Sequence, residues 1–256
     1  DQFYNPSATY GPARQVAVDL QAARAKVAHW LGARPSEAIF TAGGTEANNL
    51  AIDGVMRRYP QANVVVSAIE HEAVLRPAAA YDCRLAPVTA DGLVDVEALV
   101  ECIDSQTVLV SVMYANNEIG TVQPIRRISA ALQAIRRQRQ AAGNATPLYL
   151  HTDACQAAAY ADVHASRLGV DLLTLNGGKI YGPKQSGVLY IHGSIGLEPL
   201  LRGGGQERGL RSGTENVPAC IGLAEALDIV QLRRHEEVER LQLLQRLFID
   251  ILAEQV

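Results

Sequence analysis

Two residues of this sequence have side chains whose types and positions could support amine chemistry, and both follow apolar segments. Lys179 comes soon after residues 171–175, which have the pattern of a buried strand, and Asp153 ends a second such segment at residues 148–153. A lysine held at a strand end can form a Schiff base with a carbonyl compound. A carboxylate that emerges from a buried strand needs a cation or several hydrogen-bond donors nearby. The pair is far more specific than either residue alone.

A glycine turn upstream is suited to binding an anion. Residues 37–41 have a strand pattern, and Gly43, Gly44 and Thr45 lead from it into a helix that runs to about Arg58. Glycines let the backbone come close to a ligand, and the free amides at the positive end of a helix attract negative charge. An ordinary helix N-cap is the alternative interpretation.

Polar residues follow two further strand patterns. His71 comes after the valine-rich residues 63–68, and Asn117 comes after residues 107–113. Ligands of α/β proteins bind where strands end, so both residues are candidates for a binding site. A structural histidine and a polar turn are the alternatives.

Together these residues favour a pyridoxal phosphate site. In enzymes that use this cofactor, a carboxylate keeps the ring nitrogen protonated while a lysine holds the aldehyde as an imine. Asp153 and Lys179 could take these two positions. Residues 202–216 form a glycine-rich segment with three arginines ahead of a helix, which suits a further anion, although a flexible surface loop is also possible.

The remaining pattern alternates strands and helices without an internal repeat, which predicts an α/β fold with a mostly parallel sheet covered by helices on both faces. Gly32 is the expected C-cap of the first helix. The arginines of residues 124–142 are interpreted as a solvated helix face. Strands are expected at 37–41, 63–68, 83–88, 107–113, 148–153, 171–175 and 186–191, and helices at 11–31, 45–58, 95–103, 124–142 and from 217 to the end.

Composition limits the classes of partner. The 256 residues are 48% hydrophobic and carry a net charge of −4 with interspersed charges, so neither nucleic acid nor a membrane is expected as partner. The four cysteines form no Cys-x-x-Cys pair, which favours a reducing cytoplasm. The chain begins at Asp1 without methionine and stops within a helical pattern at Val256, which indicates a fragment.

In their order along the chain, the motifs resemble those of the cysteine desulfurases in the class V aminotransferase group. These enzymes supply sulfur for iron–sulfur cluster assembly and tRNA thiolation. The resemblance covers essentially the whole chain, and the arginine- and glycine-rich segment is its most specific part. It rests on residues 41–46, 70–74, 116–120, 151–156, 178–184 and 203–214.

The resemblance implies a role for each matching residue. Lys179 would be the Schiff-base lysine and the base that moves the α-proton, and His71 would stack on the ring and take part in proton transfer. Thr214 would reach the phosphate of a neighbouring subunit, which implies a homodimer. The cofactor-binding set would be Gly44, Thr45, His71, Asn117, Asp153, Gln156, Asn176, Lys179 and Thr214.

Two positions depart from the family pattern. Asn176 and Gly178 stand where the family usually has a serine and a histidine near the phosphate. The missing histidine removes a donor, so the expected consequence is weaker cofactor retention and not its loss.

The family also has a nucleophilic cysteine and a substrate-binding arginine in a C-terminal part that the sequence does not contain. None of the four cysteines is expected to replace that nucleophile, and Cys155 is interpreted as a packed neighbour of the site. The expected division is a pyridoxal phosphate-binding large domain at 1–222 and, at 223–256, a helix that leads into a truncated small domain. This fragment alone is expected to be inactive.

The implied reaction removes sulfur from L-cysteine, giving L-alanine and an enzyme persulfide. Its implied partners are L-cysteine, a second copy of the chain and a sulfur-acceptor protein such as an iron–sulfur scaffold. Two alternatives stay open. Another class V enzyme, such as a selenocysteine lyase or an aminotransferase, would share Lys179 and Asp153, and a non-catalytic scaffold would keep the fold without binding the cofactor.

Overall fold

The structure, a computed structural model, describes residues 3–255, so Asp1, Gln2 and Val256 lie outside the described part. Seven strands form one sheet. They are β1 (Ala38–Thr41), β2 (Asn63–Ser67), β3 (Asp82–Ala86), β4 (Thr107–Ser111), β5 (Tyr149–Asp153), β6 (Leu172–Asn176) and β7 (Gly187–Ile191). In residues 3–255, no helix combines the length and the apolar character needed to cross a membrane.

Eight α-helices accompany the strands in the described residues. They are α1 (Gly11–Leu31), α2 (Gly44–Met56), α3 (Glu72–Ala78), α4 (Val96–Glu101), α5 (Ile125–Ala141), α6 (Ala165–Leu168), α7 (Val217–Leu232) and α8 (Arg234–Gln255). Short 3-10 turns occur at Pro35–Glu37, Gly177–Lys179 and Glu207–Gly209.

The sheet is mostly parallel, which confirms the predicted fold class. Its strand order is β1-β7-β6-β5-β4-β2-β3, and the five strands β2 to β6 run parallel to one another. Strand β7 is antiparallel to both β6 and β1. Every residue of β2, β4 and β7 is buried, as expected for strands covered on both faces.

Two apolar cores lie on the two faces of the sheet. On one face, α1, α5 and α7 contribute buried side chains such as Leu20, Ile128 and Leu223. On the other face, α2 and α3 contribute Leu50 and Val74. Helix α2 therefore lies on the opposite face from α1 and α7, with its N-terminus beside the end of β1.

The sequence pattern predicted the first helix correctly but not the helical segment at the C-terminal end. Helix α1 has the predicted bounds, and Gly32 ends it with a left-handed backbone (φ 60°). The single C-terminal helix predicted from residue 217 was wrong, because the chain turns at Arg233 between α7 and α8. The expected boundary between residues 222 and 223 falls inside α7, and the division into domains stays a prediction.

The arginines of α5 correct another expectation. They were predicted to form a solvated face, but Arg139 is buried and its guanidinium donates to the carbonyl oxygens of Asp104, Thr146 and Pro147. Arg136 donates to the Leu148 carbonyl oxygen at 2.7 Å. These two side chains attach the helix to the segments that lead into β4 and β5, because carbonyl oxygens there lack strand partners.

Candidate active site

A cavity of about 90 Å³ lies at the carboxyl ends of the parallel strands. Eight of the nine residues predicted to hold the cofactor line it, and Thr214 is the exception. The lining residues are Gly44, Thr45, Asn48, His71, Ala73, Met113, Ala115, Asn117, Asp153, Cys155, Gln156, Asn176 and Lys179.

Asp153 is the last residue of β5 and is 7% exposed. The Asn48 side-chain amide donates to Asp153 Oδ2 at 2.6 Å, and the Cys155 main-chain N–H donates to Oδ1 at 2.9 Å. These donors are the partners that a buried carboxylate requires, and they fix its orientation toward the cavity. Asn48 was not predicted, although it lies one helical turn after Gly44 and therefore faces the same way.

Lys179 ends the 3-10 turn that follows β6, and its side chain is exposed at the cavity. The turn requires glycine at Gly177, because a Cβ there would lie 2.1 Å from the Ser186 hydroxyl oxygen. The Gly177 carbonyl oxygen accepts the main-chain N–H of Gly182 at 2.9 Å. This turn bends the chain away from the line of β6 and places Lys179 at the cavity.

The N-terminus of α2 reaches the cavity through Gly44 and Thr45. Within the described residues, no side chain caps this helix end, and its N-cap residue Gly43 has a φ of 138°. A Cβ at Gly44 would lie 2.6 Å from Cys155 Sγ, so glycine allows the helix end to approach β5 closely. Uncapped amides at the positive end of a 13-residue helix form an anion-binding site.

His71 caps the N-terminus of α3, and its ring orientation is fixed by that role. Nδ1 accepts the Ala73 main-chain N–H at 3.0 Å. The neutral ring therefore carries its proton on Nε2, the nitrogen that is free to face a ligand. Asn117 and Gln156 contribute carboxamide groups to other parts of the cavity wall.

Two buried titratable groups next to the site were not singled out by the sequence pattern. Burial raises the pKa of Glu70 to about 8, and the charge of Asp153 acts in the same direction. Burial lowers the pKa of His151 to about 4, and its ring nitrogens pair with the hydroxyls of Ser111 and Thr174. At neutral pH the Glu70 carboxyl and the His151 ring are therefore both uncharged.

These shifts predict that stability falls as the pH rises from 6.5 to 8. The unfolded Glu70 carboxyl loses its proton near 4.5 whereas the folded one keeps it to about 8, so unfolding releases a proton between these values. His151 has the opposite effect, which is largest below pH 6.5, where most unfolded rings carry a proton that the folded ring lacks, and which fades above it. Above pH 6.5 the Glu70 contribution is the larger of the two, and the net effect should lower the free energy of unfolding by about 1–2 kcal/mol between pH 6.5 and pH 8.

Urea denaturation of Glu70→Gln at pH 6.5 and pH 8 measures this contribution. The variant should lose most of the decrease seen in the unchanged chain. Glu72→Gln is the matched control, because Glu72 is exposed on the same segment and pairs only with Arg76 among the described residues. An equal decrease in the Glu70→Gln variant would show that another group is responsible.

Thr214 lies in a separate cavity of about 220 Å³, together with Arg211 and Glu215. Arg211 pairs with Glu46 in the first turn of α2 at 2.8 Å, so the glycine-rich segment contacts the helix whose end lines the first cavity. This structure does not bring Thr214 to the other predicted residues. Its contact with the phosphate of a neighbouring subunit stays a prediction.

This chain is similar in sequence and structure to known proteins of one family. The family model described as Aminotransferase class-V matches residues 3–254. The cysteine desulfurase IscS of Dictyoglomus turgidum is 38% identical over 256 residues, which cover 97% of this chain and 62% of that protein.

Two solved structures are also similar. One described as a NifS-like protein has a TM-score of 0.91 and 32% identity, with 99% of this chain and 69% of that chain covered. The structure described as SspA in complex with cysteine has a TM-score of 0.80 and 37% identity, with 89% of this chain and 65% of that chain covered. The chain spans less than two thirds of the length of the Dictyoglomus protein. The family model, however, matches nearly all of this chain. The chain therefore belongs to the class V aminotransferase family.

Proposed function

We propose that this chain forms the pyridoxal 5'-phosphate-binding part of a cysteine desulfurase. The observation that carries the proposal is that Lys179, Asp153 and the uncapped N-terminus of α2 line one cavity. An amine, a carboxylate and an anion site are the three groups that this cofactor needs for its aldehyde, ring nitrogen and phosphate. The similarity to proteins named as cysteine desulfurases supports the same proposal.

The donor set fits the cofactor. The phosphate would be bound by the amides of Gly44 and Thr45 and by the Thr45 hydroxyl. A residue larger than glycine would not fit at position 44, because Gly44 lies so close to Cys155. When bound, the cofactor would supply an aldehyde and an electron-accepting ring. Asp153, held by Asn48 and Cys155, would keep a proton on the ring nitrogen.

The other residues would orient the ligands and move protons. Lys179 would bind the aldehyde carbon through Nζ and then, once displaced by substrate, transfer the α-proton. His71 would cover one face of the ring, with Nε2 available for proton transfer. Gln156 and Asn117 would donate to ring substituents or to the substrate, and Asn176 would lie near the phosphate.

We propose L-cysteine as substrate, with L-alanine and a persulfide as products. The thiol that takes the sulfur would lie outside this chain, because neither Cys83 nor Cys102 lines the cavity and a buried thiol ionises too poorly to be a nucleophile. Burial raises the pKa of Cys155 well above its ordinary value and that of Cys220 to about 12. The same proposal includes a homodimer in the cytoplasm, in which Thr214 of a second copy would complete the site. It also includes a partner that accepts the sulfur, a protein of iron–sulfur assembly or tRNA thiolation.

Borohydride reduction of the chain mixed with pyridoxal phosphate tests the cofactor site. The sequence has three lysines, Lys26, Lys179 and Lys184, so mass spectrometry can assign the reduced adduct among them. We expect the adduct on Lys179. Lys184→Ala is the matched control, since Lys184 is exposed on the same loop, and it should leave the labelling unchanged. An adduct spread over Lys26 and Lys184, or none, would favour the scaffold alternative.

The reaction itself is tested by measuring alanine and sulfide released from L-cysteine. Amino transfer to a keto acid, without sulfide release, would instead support an aminotransferase. Because the acceptor thiol is proposed to lie outside this chain, the assay uses a longer protein that also contains the C-terminal part that the proposal requires.

Gly178→His is expected to bind pyridoxal phosphate about tenfold more tightly than the unchanged chain. The new ring would add a donor near the phosphate, and a hydrogen bond to a charged group contributes about 1.5–3 kcal/mol. The position can accept the side chain, because a Cβ there would come no closer than 3.4 Å to Asn176 Oδ1 and 3.7 Å to Lys184 Cγ.

Absorbance titration with the cofactor gives the dissociation constants for this comparison. Gly178→Ala adds the Cβ without the donor and serves as the control. If Gly178→His and the unchanged chain bind the cofactor equally, the missing histidine is not what limits cofactor retention.

A further inference from the structure

Glu70 is a buried carboxyl group that the proposed chemistry does not use. It directly precedes His71 and is 6% exposed. Its Oε1 accepts the Ser67 hydroxyl at 2.5 Å and the Met113 main-chain N–H at 2.5 Å. Ser67 ends β2 and Met113 follows β4, so one oxygen atom connects the segments that leave two neighbouring strands.

A second connection lies beside the first. The Asn116 side-chain amide donates to the Ile69 carbonyl oxygen at 3.1 Å. Asn116 Oδ1 in turn accepts the main-chain N–H groups of Glu118 and Ile119 at 2.8 and 3.0 Å. The segment with His71 is therefore attached at two points to the segment with Met113 and Asn117, and both segments line the cavity.

The carboxyl group of Glu70 makes these hydrogen bonds as an uncharged group. Glu70 has no ion-pair partner among residues 3–255, and its Oε2 is buried without a hydrogen-bond partner there. A buried carboxylate without a cation would be costly, so the group is neutral at pH 7 and bonds as a neutral carboxyl. A glutamine has the same length and can accept the same two hydrogen bonds.

We infer that Glu70 is a positioning residue of the cavity, whose neutral carboxyl group holds the ring of His71 in place relative to Met113 and Asn117. Glu70 would hold the ring of His71 in place in the cofactor-free chain as well, whereas its effect on the affinity for the cofactor rests on the proposed function. If Glu70 only stabilised the fold, removing its carboxyl group from a chain that stays folded would leave the ring of His71 in place.

Nuclear magnetic resonance of the histidine side chains in the cofactor-free chain separates these cases. The sequence has six histidines, and the His71→Gln variant identifies the His71 signals. Glu70→Ala should shift the ring signals of His71, because the segment loses its attachment to Met113. Glu70→Asp should do so as well, since a side chain one methylene shorter cannot reach both donors. This second variant provides the test if the alanine variant does not fold.

Glu70→Gln is the rescue variant, and it should keep the His71 signals where they are in the unchanged chain. Glu72→Gln, on the same segment, is the matched control and should also leave them in place. Unchanged His71 signals in a folded Glu70→Ala or Glu70→Asp variant would overturn the inference. So would equally large shifts in Glu70→Gln, because they would show that the acceptor atoms are not what matters.

The affinity for pyridoxal phosphate is the second readout. Loss of a stacked ring contact weakens binding by about two- to tenfold, so Glu70→Ala should raise the dissociation constant by that factor and Glu70→Gln should not. Failure of the unchanged chain to bind the cofactor would contradict the proposed function, and the His71 signals would still decide the role of Glu70.

Discussion

Asp153→Asn is expected to weaken the binding of pyridoxal phosphate by about 10- to 100-fold while the chain remains folded. The substitution removes the negative charge that would face the ring nitrogen but keeps the shape of the side chain. A hydrogen bond to a charged group contributes about 1.5–3 kcal/mol, and its loss corresponds to this change in the dissociation constant. Absorbance titration with the cofactor measures it.

The contacts of Asp153 explain why the variant should fold. The new amide nitrogen would face the Asn48 amide, which now donates to Asp153 Oδ2. Asn48 Oδ1 is buried without a partner among the described residues, so a rotation of the Asn48 amide offers an acceptor instead. Asp162→Asn is the control, because Asp162 pairs with Arg167 at the surface, away from the cavity lining. Equal cofactor affinity in Asp153→Asn and the unchanged chain would exclude Asp153 as the ring-nitrogen partner.

Arg24→Met is expected to lower the free energy of unfolding by about 3–5 kcal/mol, because it leaves a buried carboxylate without its cation. The guanidinium of Arg24 binds Glu207 through two hydrogen bonds of 2.6 and 2.7 Å, and their side chains are 8% and 1% exposed. Arg24 also donates to the Ala38 carbonyl oxygen, and Glu207 accepts the Phe40 N–H at 2.8 Å. The pair thus joins α1, β1 and the glycine-rich segment.

Denaturation in urea gives the free energy, and two further variants separate charge from packing. Arg240→Met breaks an exposed pair with Glu237, which should leave the free energy of unfolding nearly unchanged, because water screens the interaction. Adding Glu207→Gln to Arg24→Met should recover part of the loss, because the unpaired charge is then gone. A loss below about 1 kcal/mol in Arg24→Met would mean that Glu207 is protonated or hydrated in the folded chain.

The strand-end residues of the site could be predicted from the sequence because their positions depend on local pattern. Asp153 and Lys179 each follow an apolar run, and parallel strands place their carboxyl ends at the same edge of a sheet. The glycine turn before α2 has an equally local signal, since Gly43 and Gly44 stand between a strand pattern and a helix pattern. Those three parts meet at the cavity in the structure.

The supporting contacts could not be predicted, because they join residues far apart in the chain. Asn48 and Asp153 are separated by 105 positions, and Glu70 and Met113 by 43. Nothing in the residues near Glu70 shows that its carboxyl would be buried and neutral. The same holds for Arg139, whose burial depends on carbonyl oxygens from three separate residues and not on the charge pattern of its helix.

The antiparallel pairing of β1 with β7 has a consequence for how the protein is made. Strand β1 is synthesised well before its partner β7, and the Phe40 amide binds a residue 167 positions later. Contacts between such distant residues form slowly, and an unpaired strand edge can associate with other chains in the meantime. The anion-binding end of α2 is joined directly to β1. On the ribosome, that part of the site therefore becomes complete only after about residue 207 has emerged, and until then the edge of β1 that pairs with β7 stays unpaired.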